Sequence, residues 1–237
     1  SCNVWNYQIG LRAGPDALAA EARRFGLDTP LLETASSSDG PDAAYTELPY
    51  AASRGLVVPD REYKLRIKAG PWHDGDTANT SIGQGYLLTS PLHMASFAAS
   101  LARGETRTVP TIIHDPARDG RHRGSTPIGL NKAQLDAIRG GMVRCVEEGT
   151  GRSAHIQGLP IAAKTGTSEY FKKGEKAHLA WMIGYAPADR PVVAFCVLVE
   201  GQLDTSTWGG KTAGPVVKQM LETWAGTGEK QSTEPAR

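Results

Sequence analysis

No apolar run in the chain approaches the ~18 residues that a membrane-crossing helix needs, so the sequence offers no such span. No basic run is interleaved with aromatic residues. With 26 Lys plus Arg against 25 Asp plus Glu, the charge balance gives no support to a nucleic-acid surface. Cysteine is scarce and scattered: Cys2, Cys145 and Cys196 make neither a disulfide framework nor a metal-finger spacing. Cys196 sits in an apolar run and reads as a buried small hydrophobe. No internal repeat occurs. The first methionine is Met94, so the chain is expected to be a fragment whose natural beginning lies elsewhere.

What is present is an ordinary globular balance in 237 residues, 40% hydrophobic and 22% charged, enough for one large domain or two small ones. Pro15 and Gly26 bracket a predicted helix through Arg24, with Leu18, Ala22 and Phe25 on one face. Residues 34–44 read as a loop by composition, and loop-like sequence continues through Pro49 and Pro59 to Pro71. Ser90 caps a helix that begins at Pro91 and ends at Gly104. Asn131 starts another, carrying Leu135, Ile138, Met142 and Cys145 at helical spacing. From there the pattern turns to strands over 161–168, 179–186 and 192–200, the last apolar enough to be central and covered on both faces. Residues 187–191 form a tight turn. A closing helix runs from Gly214 to about Trp224, followed by a polar, disordered tail over 225–237. Helices, a meander of strands and a final helix predict an α+β fold, an antiparallel sheet packed by helices.

The run Lys164-Thr165-Gly166-Thr167 carries the chemistry. On an extended strand Thr165 and Thr167 face one side, Lys164 and Gly166 the other. Two hydroxyls can bind a carboxylate beside a cation, and Gly166 lets a ligand backbone approach. The same residues also make an ordinary strand end, so the motif alone leaves both readings open. Lys-Thr-Gly is one of three motifs of serine acyl enzymes, the others being Ser-x-x-Lys and Ser-x-Asn. Ser1-Cys2-Asn3 fits the last.

Longer stretches are more specific. Val58-Pro59-Asp60-Arg61-Glu62-Tyr63-Lys64, Pro71-Trp72-His73-Asp74-Gly75-Asp76-Thr77 and the run from Ser81-Ile82-Gly83-Gln84-Gly85 to Ala95 come in order. Gly149-Thr150, the Lys164 motif and the run from His178 to Pro187 follow. Over residues 1–224 the chain resembles the transpeptidase domain of class B penicillin-binding proteins, specifically the elongation-type penicillin-binding protein 2. That resemblance implies a serine β-lactamase/DD-peptidase-like fold, incomplete at the N-terminus, and a peptidoglycan DD-transpeptidase that is the target of β-lactams. It implies a general acid–base role for Ser1, a substrate-carbonyl contact for Asn3, and for Lys164 the holding of Ser1 with added positive potential. Thr165 and Thr167 would bind the terminal carboxylate, with Gly166 between them, and the Thr167 N–H would supply half of an oxyanion hole. It further implies stem peptides and β-lactams as ligands, a membrane-embedded glycan polymerase of the elongation machinery as partner, and the periplasmic face of the bacterial inner membrane as location.

The sequence departs from the family at one decisive point: it contains no Ser-x-x-Lys, since Lys172 falls one position too far from Ser168. The chain alone is therefore expected neither to cross-link peptidoglycan nor to be acylated by penicillin. Ser36 to Pro41 reads as an insertion. The resemblance also implies a zinc site at Cys2, as in some relatives, with upstream Asp and His partners outside the chain, but a buried structural thiol is the preferred reading, with no metal and no cofactor. The six histidines read as surface or packing residues, Trp72, Gly75 and Asp76 as shaping a loop near the cleft, and Lys172, Lys173 and Lys176 as solvated loop charge. Gly83-Gln84-Gly85 follows no strand-to-helix nucleotide pattern. A non-catalytic β-lactam sensor and a serine β-lactamase are the alternatives. Both are separable from a transpeptidase by the sequence upstream of Ser1.

Overall fold

In the computed structural model the described residues are 2–29, 56–104, 106–107, 126–172, 174–201 and 207–231. They divide into two compact units, residues 1–100 with 105–129 and residues 101–104 with 130–237. The fold is α+β, as the sequence predicts.

The first unit is built on helices. Helix α1 spans Asn3–Ala13 and α2 Pro15–Arg24. Gly14 between them has φ +80°, a left-handed turn that glycine adopts without strain. Helix α3, Arg61–Arg66, and α4, Asp74–Ser81, lie where the sequence reads as loop, and these are corrections. Both are short and polar, so neither shows an apolar stripe, and only their caps announce them. Asp60 accepts from the Tyr63 N–H at 2.7 Å, and the Asp76 carboxylate accepts from the His73 N–H at 2.7 Å. Gly75 and Asp76 are thus helical, with Trp72 in the preceding turn and its indole N–H donating to the Thr77 hydroxyl at 2.8 Å.

Helix α5, Pro91–Arg103, starts at Ser90, whose hydroxyl accepts from the His93 N–H. Gly104 follows it at φ +87°. His93 is fully buried: Nε2 donates to the Thr29 carbonyl at 2.8 Å, and Nδ1 bonds the Ser90 hydroxyl at 2.7 Å. It is the packing residue that the sequence suggests. Phe25 and Phe97 meet edge-on at 4.7 Å in the same core. A short antiparallel ladder joins β1, Thr106–Arg107, to β2, Thr126–Pro127. The loop and insertion expected over residues 34–44 lie outside the described residues.

The second unit packs helices on a three-stranded antiparallel sheet. Helix α6, Lys132–Glu147, is capped reciprocally: Asn131 Oδ1 accepts from the Gln134 N–H and Gln134 Oε1 from the Asn131 N–H, both at 2.9 Å. Its buried stripe is Leu135, Met142 and Val146, whereas Ile138, expected inside, is 38% exposed. Strands β3, Ala162–Lys172, β4, Glu175–Ala186, and β5, Val193–Glu200, follow in the order β3-β4-β5. The β3–β4 hairpin is longer than predicted, placing Lys172 and Lys176 on strands, with Lys176 paired to Glu169 at 2.8 Å. Among the described residues β4, not β5, is the central strand. Met182 to Ala186 are consecutively buried, while β5 is mostly half-buried. An apolar run records coverage but not pairing order, which is why the sequence misassigns the centre. Cys196 on β5 is half-buried, and burial pushes its thiol up to about 12.

One sheet face carries Ala163, Ala180, Met182, Ala186 and Phe195. It packs with Val146, Ala154, Val217 and Leu221 into the core. A π-helical turn, Gly209–Ala213, leads into α7, Gly214–Gln231. That helix outruns the end expected near Trp224 by seven residues, so the tail expected to be disordered is helical to Gln231. Glu229, Lys230 and Gln231 are good helix formers.

Candidate active site

Strand β3 brings Lys164, Thr165, Gly166 and Thr167 together at one edge of the described sheet, and its alternation is the one the sequence predicts. Lys164 and Gly166 oppose Ile183 and Trp181, while Thr165 and Thr167 oppose Met182 and Ala180. The threonines therefore share a face with the core residues Ala163, Ala180 and Met182. Where that face leaves the core, its side chains become polar. Lys164 is exposed, and its ammonium donates to the Thr165 carbonyl at 2.6 Å.

Two segments distant in sequence brace the strand. The turn after α6 places the Thr150 hydroxyl 2.6 Å from the Thr165 hydroxyl. The turn itself is fastened by the Gly151 N–H donating to the Cys145 carbonyl at 2.9 Å. The Gly209 N–H donates to the Thr167 hydroxyl at 3.1 Å. Gly209 and Gly210 come so close to this strand and turn that a side chain is excluded at both. A Cβ on Gly209 would lie 2.2 Å from the Gly166 carbonyl oxygen, and one on Gly210 would lie 1.9 Å from that of Thr150. Ser153 also donates to the Gly210 carbonyl. At Gly166 itself, an added Cβ meets only ordinary contact, 3.4 Å from Trp181. Within the fold, the close approach that demands glycine is thus at 209 and 210.

Sequence reasoning missed Thr150, Gly209 and Gly210 as parts of this site. Gly149-Thr150 and the Gly-Gly pair were the available signals, but nothing in either says that it faces a strand. Trp208, 54% exposed, stacks on His178 with ring centroids 6.4 Å apart.

In the first unit, Asn3 opens α1 and is exposed, and Cys2 precedes it as a free thiol that is exposed, not buried as expected, because it stands ahead of the first helical turn. Ser1 lies outside the described residues. Gly10, midway along α1, packs on α4, where its Cβ would fall 2.3 Å from that of Ser81. Helix α4 is held in turn by the buried Lys64, whose ammonium meets the Asp76 carboxylate at 2.7 Å. No group of three or more metal-ligating side chains occurs among the described residues. No helix among them is long and apolar enough to cross a membrane.

Comparison with known proteins finds relatives among peptidoglycan D,D-transpeptidases. Peptidoglycan D,D-transpeptidase PbpA of Mycobacterium tuberculosis is 32% identical over 234 residues, covering 94% of this chain and 42% of its own length. Peptidoglycan D,D-transpeptidase MrdA of Acinetobacter baumannii is 28% identical over 257 residues, covering 100% of this chain and 35% of its own length. Among solved structures, Pseudomonas aeruginosa PBP2 in complex with WCK 5153 superposes with a TM-score of 0.70 at 28% identity, over 94% of this chain and 46% of that one. The ceftriaxone acyl-enzyme complex of M. tuberculosis penicillin-binding protein A gives 0.67 at 30% identity, over 93% of this chain and 46% of that one. The chain spans less than half the length of these relatives. The penicillin binding protein transpeptidase domain matches residues 1–222, and the chain belongs to that family.

Proposed function

We propose that this chain forms the substrate-binding wall of a serine-type peptidoglycan D,D-transpeptidase, working at the periplasmic face of the bacterial inner membrane. The observation that carries the reading is the β3 edge. Lys164 and two braced hydroxyls, Thr165 and Thr167, stand within one four-residue stretch, in a chain that this family matches from end to end of the sheet. A D-alanyl-D-alanine stem ends in a carboxylate, and β-lactams carry one at the equivalent place. Threonine O–H groups donate to such an anion, and a nearby ammonium adds favourable potential without occupying the same position.

In this reading the serine of an upstream Ser-x-x-Lys attacks the penultimate D-Ala carbonyl. D-Ala leaves with the proton relayed through Ser1. A second stem peptide's amine then displaces the serine, forming the cross-link. Asn3 bonds the substrate carbonyl and the Thr167 N–H faces the developing oxyanion. A membrane-embedded glycan polymerase supplies the strands to be joined.

The test is covalent labelling by a fluorescent penicillin of the natural polypeptide that carries this chain. We expect a stable label, blocked by prior treatment with unlabelled benzylpenicillin and reduced at least tenfold in rate by T165V/T167V. The 237-residue chain alone should remain unlabelled. Rapid release of the label would instead mark a β-lactamase. No label at all on the natural polypeptide would overturn the reading.

A further inference from the structure

The hydroxyl of Thr165 has a neighbour that no substrate role explains. Thr150 Oγ1 lies 2.6 Å from Thr165 Oγ1, and Cys145 Sγ lies 3.7 Å beyond Thr150 Oγ1. The three groups form a short chain that ends at the β3 edge. A bond between two hydroxyls runs in one direction only: one donates, and the other keeps its own proton for a third group. If Thr165 gave its proton to Thr150, it would meet a carboxylate with lone pairs. If Thr150 donates, Thr165 presents its proton outward. The thiol can donate weakly to Thr150, which completes the second arrangement.

We propose that Thr150 is a positioning residue: as the donor to Thr165, it fixes the Thr165 hydroxyl with its proton directed to the terminal carboxylate of the substrate. The inference rests on the carboxylate-binding role given above to Thr165. An anion at the end of the chain favours this polarity and strengthens each bond behind it. The backbone holds Thr150 where the job requires. Gly151 is tied to the end of α6, and Gly210 lies flat against the Thr150 carbonyl because it has no side chain. Thr150 is itself exposed, so its hydroxyl is not needed to satisfy a buried core, and a valine should be accepted there without loss of fold.

The experiment uses the natural polypeptide and separates the pre-covalent dissociation constant for benzylpenicillin from the acylation rate constant. For T150V we expect the dissociation constant to rise about tenfold, the size of the Thr165–carboxylate hydrogen bond that loses its alignment. The acylation rate constant should stay within about twofold, because the reacting carbonyl is untouched. T150S should restore wild-type binding. T150V/T165V should bind no worse than T165V, since Thr150 acts only through Thr165. The benzylpenicillin methyl ester, which has no carboxylate, should bind T150V and wild type alike. If T150V does not fold, T150C serves the same comparison, with an intermediate effect expected from its weak donor. Unchanged binding in T150V, or additive losses in the double variant, overturns the inference. Wild-type protein that no β-lactam acylates would instead overturn the function on which it rests.

Discussion

At the scale of single residues, the site is a strand that other backbone touches. Gly210 shows it most plainly: a methyl group there would sit 1.9 Å from the Thr150 carbonyl oxygen, a backbone atom that cannot swing aside. Gly210→Ala should therefore destabilise the protein by about 2 kcal/mol or more, as overpacking against fixed neighbours does. In a domain of this size that is a fall in melting temperature of about 4–8 °C, readable by calorimetry. Gly140→Ala, where an added Cβ meets nothing within 4 Å, is the control, and equal losses in both would refute the steric argument. The alternation of Lys164 against Thr165 and Thr167 was legible in the sequence, because period two is a property of any strand. The bracing was not. Thr150 and Thr165 are 15 residues apart, Gly209 and Thr167 are 42 apart, and no local pattern records which loop returns to a strand.

At the scale of elements, caps told more than composition. The Ser90 and Asn131 starts held because their side chains bond the first turn, so the sequence signal and the physical cause are the same. Asn131→Ala should accordingly cost about 1 kcal/mol in urea unfolding. Helices α3 and α4 are short and polar, with no apolar stripe for composition to show, and the Lys64–Asp76 pair ties one to the other. Lys64 is 5% exposed. Truncating one partner of a buried pair leaves the other charge without compensation, which costs about 3 kcal/mol. K64M should lose roughly that amount, and the K64M/D76N double variant distinctly less, since the amide no longer brings a buried charge. A double variant as unstable as the sum of the single changes would show that packing, not charge, is what Lys64 supplies. The same device bears on α1, because α4 is the surface on which Gly10 rests. The two elements that lack an apolar stripe thus help set the helix that starts at Asn3.

At the scale of the whole molecule, the two units rest on different physics. The second is an apolar sheet core, with Met182, Ala180 and Ala163 fully buried and ion pairs such as Glu169–Lys176 at the exposed rim, where they contribute little. The first leans on charge. Desolvation pushes the Asp76 carboxyl up, but the hydrogen bonds from Lys64 and the His73 N–H, with their charges, outweigh it and hold it below the usual carboxylate range. Asp60 is also held low, first by the Tyr63 N–H and then, against desolvation, by Arg23 at 2.6 Å. Both shifts are depressions, so the stability they confer is fully present above the unfolded carboxylate value of about 3.9 and is lost as pH falls through the lower folded values. Acid should therefore loosen the first unit before the second. Amide exchange followed by NMR as pH is lowered from 6 to 3 should show the α3 and α4 amides losing protection while those of β4 from Met182 to Ala186 keep theirs. In D76N the early loss should shrink, because that position no longer binds a proton. Simultaneous loss in both units, unchanged by D76N, would mean that the chain unfolds as one body and that its division into two units has no energetic counterpart.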